Sequence, residues 1–552
     1  MNASKVIFLV AVILISLCVV DTQPVNSQNV GVIYLTSDGI VTSSNATVPI
    51  QQNGSVYTFT DSISGYCLSV QHNNAVVDGA GYYLTGPGEI GVDLTGRSNV
   101  TVKNLQIGSN FYGIYLYGSS NNTISENTIP RNSYGIYMYK SSKNTVTGND
   151  LSNNGIGINI LESSNNILRN NEMDNNYNLA VDGTEPQHYD NDIDDSNTIN
   201  GKKVCYLISQ SNVVINSVTH PDVGYLALVN CYNMTVHHLE LSGNGHGILL
   251  AYTTDSTLYH NEVTDNYCGI ELFASSNNVV SANNIMDNNR GIQLSNSSTT
   301  NSIYSNIITN NTDGVFFFSS YQNTLLLNNV TNNRVGVGFK ESSYNMIRSN
   351  HFVDNTMQVY DISWENYSIA VSQNTWDIGY PSGGNYWSDY TGVDVMSGKG
   401  QNETGNDELG DTPYIIDEIN QDNYPLMPYG SPPAVFIDSP ENKTYTVNAV
   451  SLKFTVSEET SWIKYSFDGQ ENVTVTEDVT LSDLEYGEHN ITIYVEDING
   501  KAGKSETLYF TVAEGAAPPQ PDFSIIVLIA AVIVAAAVIG AILFFFMKAG
   551  KE

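Results

Sequence analysis

One asparagine returns at steps of 22 or 23 residues through most of this chain. It stands at Asn104, Asn127, Asn149 and Asn171, is replaced by His238, and resumes at Asn261, Asn283, Asn306, Asn328 and Asn350. A second series runs a few residues downstream: Asn132, Asn154, Asn176, Asn266, Asn288, Asn311, Asn333 and Asn355. A third series is glycine, at Gly113, Gly135, Gly157, Gly247, Gly269, Gly291, Gly314 and Gly336, each opening a short alternating run such as GIYLY, GIYMY or GIELF. Alternation with period two puts one face in and one face out, and turn-forming Asn, Ser and Gly end each run after a few residues. Amphipathic helices do not survive this density of Asn and Gly. A fixed period near 22 residues suits an all-β parallel solenoid with three short strands per coil, stacked at about 4.8 Å. Leucine-rich repeats share the period, but their repeated Leu pattern is missing. The asparagines are therefore read as structure: stacked turns place each amide above the last, where it donates and accepts along a ladder.

A chain of 552 residues is too long for one compact core. Its 56 acidic against 21 basic residues, a net charge of -35, repel phosphate backbones and exclude nucleic acid as a partner. Residues 1–22 carry one Lys and then the apolar run VIFLVAVILISLCVV, which fits a signal peptide or an uncleaved anchor. Residues 523–547 hold no charge and span about 37 Å as a helix, enough to cross a bilayer. Lys548 and Lys551 in the tail 548–552 favour a cytoplasmic C-terminus, which places the bulk of the chain outside the cell. Between these ends, residues 30–430 carry the solenoid. Residues 432–514 change to longer alternating strands without cysteine, the pattern of an immunoglobulin-like sandwich, and 515–522 form a Pro-rich linker. Sequons at Asn45, Asn99, Asn233, Asn366, Asn442 and Asn490 are compatible with glycosylation. The pairing of Cys67, Cys205, Cys231 and Cys268 is not readable from spacing.

Three phrases carry a resemblance: AVVDGAGYYLTGPG from Ala75, GVDLTGRSNVTVKNLQI from Gly91, and NTINGKKVCYLISQSNVVI from Asn197. With the SSNNTI-type coils, and with GGNYWSDYTG and DNYPLMP in the closing segment 383–430, the chain resembles the NosD-type right-handed parallel β-helix family. That family is related to the carbohydrate-binding and sugar-hydrolase β-helices, and the wording of the closing segment is that of archaeal surface proteins. The resemblance implies an exported β-helix with a polysaccharide or other envelope component as partner. Copper handling, carbohydrate-active catalysis, and a structural surface-layer or adhesion role stand as alternatives.

Functional residues are sought where neighbouring coils stack what the repeat does not need. Tyr112, Tyr115 and Tyr117 are matched one coil on by Tyr134, Tyr137 and Tyr139, which alternation turns outward as a platform for sugar rings. His237 and His260 fall in matched register, as do His246 and Cys268, and such ligands suit Cu or Zn. Glu262, Asp265 and Glu271 in one coil offer carboxylates for acid–base work, with no accompanying catalytic signature. Asp407 and Asp411 match a family calcium loop in which Gly405 stands where an Asp is expected. Asp190, Asp192, Asp194 and Asp195 sit in a polar excursion that breaks the repeat, and are read as a solvated loop before a Ca²⁺ site.

Overall fold

The computed structural model describes residues 31–514 apart from 45, 87, 406, 428–432, 434, 457–459 and 498–501. The expected signal peptide, linker, membrane span and tail lie outside the described residues. Among those described, no helix is long and apolar enough to cross a membrane. The chain divides into two units, 1–431 and 432–552.

The first unit is a parallel β-helix. Strands Tyr112–Tyr117, Tyr134–Tyr139, Ile156–Leu161 and Tyr177–Asp182 stack in one sheet, with Ile114, Ile136, Ile158 and Leu179 in register and fully buried. The second and third strands of each coil stack likewise, through Val102, Ile124, Val146 and Leu168, and through Ile129, Leu151 and Met173. Each coil thus contributes a few aliphatic side chains to a continuous column, and no coil could bury its inner face alone.

Asparagines turn the corners. Asn127 Nδ2 donates to Asn149 Oδ1 at 3.0 Å, Asn149 repeats the bond to Asn171 at 2.9 Å, and Asn171 continues to Asn197. Each oxygen also accepts the backbone N–H of the rung below, so every amide is satisfied in a buried place. The ladder resumes from Asn261 through Asn283, Asn306, Asn328 and Asn350 to Asn385. The structure corrects two members: the rung positions are Leu105 and Leu239, whose N–H groups donate to Asn127 and Asn261. Asn104 and His238 lie one residue earlier, at the left-handed turn position, with φ of 52° and 54°. Asn has two uses in such a corner, as rung and as turn residue, and the two positions adjoin. In the second series Asn175, not Asn176, takes the bond from Asn154. A third ladder runs through Asn122, Asn144, Asn166 and Asn191.

The repeat breaks after Asp182, and the break divides the β-helix into two stacks. Strand Thr198–Ile199 turns back antiparallel onto Lys202–Ile208, which pairs in parallel with Val223–Val229. All seven residues of VGYLALV are buried, because the two faces of this strand serve different cores. Tyr225, Ala227 and Val229 close the core of the first stack, whereas Leu226 and Leu228 open that of the second. A fully apolar strand in place of an alternating one is what a shared wall requires. At the far end Trp387 stacks on Phe352 at 4.7 Å and on Tyr414 at 4.4 Å, while Asp422 accepts hydrogen bonds from the Asn385 amide and the Trp387 indole. The ladder therefore ends on a carboxylate.

The second unit packs two sheets around Val450, Leu452, Ile491, Ile493, Val495 and Phe510. One sheet holds Val435–Ser439, Val450–Val456 and Val479–Leu481, and the other is built around the long strand Gly487–Asp497.

Candidate functional site

At the break the outward faces of the two stacks meet around a cavity of about 130 Å³. The first stack supplies Tyr134, Tyr137, Asn159, Ala180 and Asp182, and the second supplies His246, Cys268, Glu271, Arg290 and Gln293. Tyr137, Asn159 and Ala180 are register mates on successive rungs, as are His246, Cys268 and Arg290, so each wall is a column of equivalent positions. Tyr189, from the polar excursion, is buried beside them and packs on Phe273 at 5.1 Å.

His246 is the centre of the charged wall. Its Nε2 lies 2.8 Å from Glu271 Oε2 and 3.4 Å from Asp182 Oδ1. Burial opposes charging of the ring, but the two carboxylates outweigh it and push the imidazole up to about 10. Burial likewise pushes the Glu271 carboxyl up, and the hydrogen bonds from His246, Ser295 and Gln293 reverse that and hold it below the usual range. Gln293 Nε2 and Ser295 Oγ donate to Glu271 Oε1 at 2.7 and 2.8 Å, fixing the carboxylate plane. His246 Nδ1 is buried without a hydrogen-bond partner. Arg290 leans on Phe316 at 4.9 Å and pairs loosely with Asp313.

The expected site residues fall in several places. The six tyrosines do stack rung on rung, Tyr115 on Tyr137 at 5.8 Å and Tyr117 on Tyr139 at 5.4 Å. They do not form an open platform: Tyr117 is 42% exposed, but Tyr137 is only 8% exposed and Tyr134 is buried. Rings on rungs about 4.8 Å apart cover one another, and Tyr112 packs on both Tyr134 and Tyr137. Burial, with Tyr115 and Glu89 nearby, pushes the Tyr112 hydroxyl up to about 12. Glu262, Asp265 and Glu271 do not converge: Glu262 is the exposed first residue of a strand in a different sheet and Asp265 occupies the turn after it. Glu271 meets His246 and Asp182 instead.

His237 and His260 are not register mates. His237 pairs with Tyr259 and stacks on it at 4.8 Å, whereas the His238 amide donates to the His260 carbonyl. His246 and Cys268 are adjacent in one column, with burial pushing the Cys268 thiol well above its ordinary value, but Cys268 is not among the three donors that converge there. All four described cysteines are free thiols. Asp407 accepts hydrogen bonds from Gly398 N and Gln401 Nε2, and Asp411 accepts from the Val395 and Met396 amides, so both carboxylates serve as loop anchors. In the polar excursion Asp192 and Asp194 pair with Arg169, and Asp195 pairs with Lys203.

Copper(I) would select thiolate, thioether or several imidazoles. His237 Nδ1 and His238 Nδ1 approach to 2.7 Å, but among the described residues the one group of three donor side chains in mutual reach is Asp182, His246 and Glu271. One imidazole and two carboxylates do not fit copper(I). Asp182 was the member that sequence reasoning missed, and its signal was position: it ends the last strand before the repeat fails.

No curated protein matches the chain. Among solved structures, the A-module of the mannuronan C-5 epimerase AlgE6 of Azotobacter vinelandii is 13% identical with a TM-score of 0.24, over 58% of this chain and 87% of that one. A mutant of the periplasmic alginate epimerase AlgG is 14% identical with a TM-score of 0.23, over 56% and 78%. A double mutant of the tailspike protein of E. coli bacteriophage HK620 is 12% identical with a TM-score of 0.22, over 82% and 73%. Likenesses of this strength carry no weight for the site. The family described as periplasmic copper-binding protein (NosD) matches twice, over residues 12–206 and 189–392, and the two matches overlap where the two stacks join. Together they span most of the sequence, and the chain belongs to the NosD family of right-handed β-helix proteins.

Proposed function

We propose that this is an exported, membrane-tethered surface protein that binds a glycan of the cell envelope in the cavity between its two stacks. The carrying observation is the cavity itself, where tyrosine rings of one stack face charged and amide side chains of the other. Apolar rings with a few convergent polar groups suit a sugar, which offers carbon faces and hydroxyl edges. The export signal and span expected at the two ends, and an immunoglobulin-like spacer at 432–514, complete the reading. A glycan array probed with the chain is expected to give selective binding, weakened about tenfold or more by Tyr137→Ala, the loss of one stacking ring being worth about 1.4 kcal/mol. Absence of glycan binding at millimolar concentration would sink it.

A second reading, a carbohydrate-active enzyme in the same cavity, is favoured by one observation. An imidazole and two carboxylates, the groups acid–base chemistry employs, line the wall against which the sugar would lie. Turnover on a panel of uronic-acid polymers separates the two readings.

A further inference from the structure

We propose that Asp182, His246 and Glu271 form a binding site for a divalent cation of the zinc class, open toward the cavity. The three side chains come from three strands in two stacks, Tyr177–Asp182, His246–Ala251 and Cys268–Phe273. They nevertheless bring one nitrogen and two oxygens within 4.8 Å of one another.

Spacing is the first argument. Metal bonds of about 2.0–2.1 Å place neighbouring donors about 2.9–3.4 Å apart at octahedral or tetrahedral angles. The separations from His246 Nε2, 2.8 Å to Glu271 and 3.4 Å to Asp182, fall about that interval, and all three donors lie within 4.8 Å, so a cation needs only to draw the two carboxylates together. Orientation is the second. Gln293 and Ser295 hold Glu271 by Oε1 alone, which leaves Oε2 turned to the imidazole, as partners of a ligating carboxylate do.

Charge is the third. His246 and Glu271 are buried and Asp182 is half-buried, so two carboxylates surround one imidazole where water does not compensate them. A dication would leave that trio without excess negative charge. The orphaned Nδ1 is the fourth observation: the ring lines the cavity, is buried, and lacks a protein partner at its other nitrogen, which a water or ligand held in the cavity would supply. Three protein ligands with a cavity on the remaining side match the arrangement in which a metal keeps an open position.

The inference does not depend on the glycan reading, because metal uptake is measured without a sugar. The full chain, stripped with a chelator, is titrated with Zn²⁺ and separately with Mn²⁺ by calorimetry. One equivalent of metal per chain is expected, with a rise in melting temperature that the chelator reverses. Asp182→Asn and Glu271→Gln keep size and some hydrogen bonding and should abolish stoichiometric uptake. Ser295→Ala, which touches only the far oxygen of Glu271, should weaken it by about 10–100-fold. His237→Ala should leave it unchanged. If either ligand variant fails to melt cooperatively, Ser295→Ala carries the test. Absence of stoichiometric uptake of both metals, uptake unaffected by the folded Asp182, Glu271 and Ser295 variants, or uptake lost in His237→Ala overturns the proposal.

Discussion

At the scale of the residue, two adjacent positions in each corner have opposite sensitivities. Asn149 is a rung: it accepts from the Asn127 backbone and side chain, and donates to Ile124 O and Asn171 Oδ1. Asn149→Ala strands several of these buried groups, at about 1–3 kcal/mol each, so a loss of about 3 kcal/mol or more is expected in urea denaturation. Asn104→Gly, at the turn position, should stay within about 0.5 kcal/mol, since glycine adopts the left-handed conformation freely and Asp78, to which Asn104 Nδ2 donates at 3.2 Å, also pairs with Lys103. Equal losses at the two sites would contradict the register described. The period of the asparagines was legible from their spacing, yet their phase was not. Asn104 and His238 were assigned to the ladder because a residue suited to the turn stands beside a rung filled by leucine, and only a 23-residue step hints at the slip. A pH dependence belongs at this scale too. Burial opposes charging of His489, but Nδ1 lies 2.7 Å from Asp468 and Nε2 lies 2.7 Å from the Glu485 carbonyl, and these acceptors raise its pKa. A raised folded-state pKa adds stability that is full below the unfolded value of about 6.5 and is lost as pH rises through the folded one. Amide exchange in strand Gly487–Asp497, corrected for intrinsic rates, should therefore be slower at pH 6 than at pH 8, and His489→Gln should flatten the difference.

At the scale of the element, the glycine that opens each long strand marks contact between coils. A Cβ built on Gly269 would lie 2.5 Å from the Gly291 carbonyl oxygen, and Gly247, Gly291, Gly314 and Gly336 repeat the clash one rung apart. Because the obstacle is backbone, no rotamer relieves it. Gly269→Ala should cost about 1–3 kcal/mol or more and lower the melting temperature, where an unaffected melt would show that the coils can part locally. Sequence showed these glycines as strand openers without showing why. The shared-wall strand was different: VGYLALV was visible as an unbroken apolar run, but period-two reasoning has no place for a strand with two insides, and its role emerged only from the cores on either side.

At the scale of the whole molecule, the cavity exists because one solenoid stops and another begins against its side. Of the site, His246 and Cys268 could be found by stacking equivalent positions, since they lie one rung apart, and Glu271 shares the strand of Cys268. Asp182 could not. It precedes His246 by the full length of the excursion and the wall, so no repeat arithmetic connects them, and the burial of Tyr134 and Tyr137 was hidden for the same reason. Burial there is imposed by neighbouring rings and by the junction, which a single coil read in isolation does not contain.

That junction also separates reach from recognition. The side chains lining the cavity run from Tyr134 to Phe318, and coils before Tyr112 or after Lys340 contribute none. Each such coil adds about 4.8 Å of length and nothing to the pocket. Gain or loss of a whole coil by gene duplication or deletion would then move the pocket along its arm without rebuilding it. In such a chain the number of coils acts as a ruler, adjustable in unit steps, while the chemistry it carries is inherited intact.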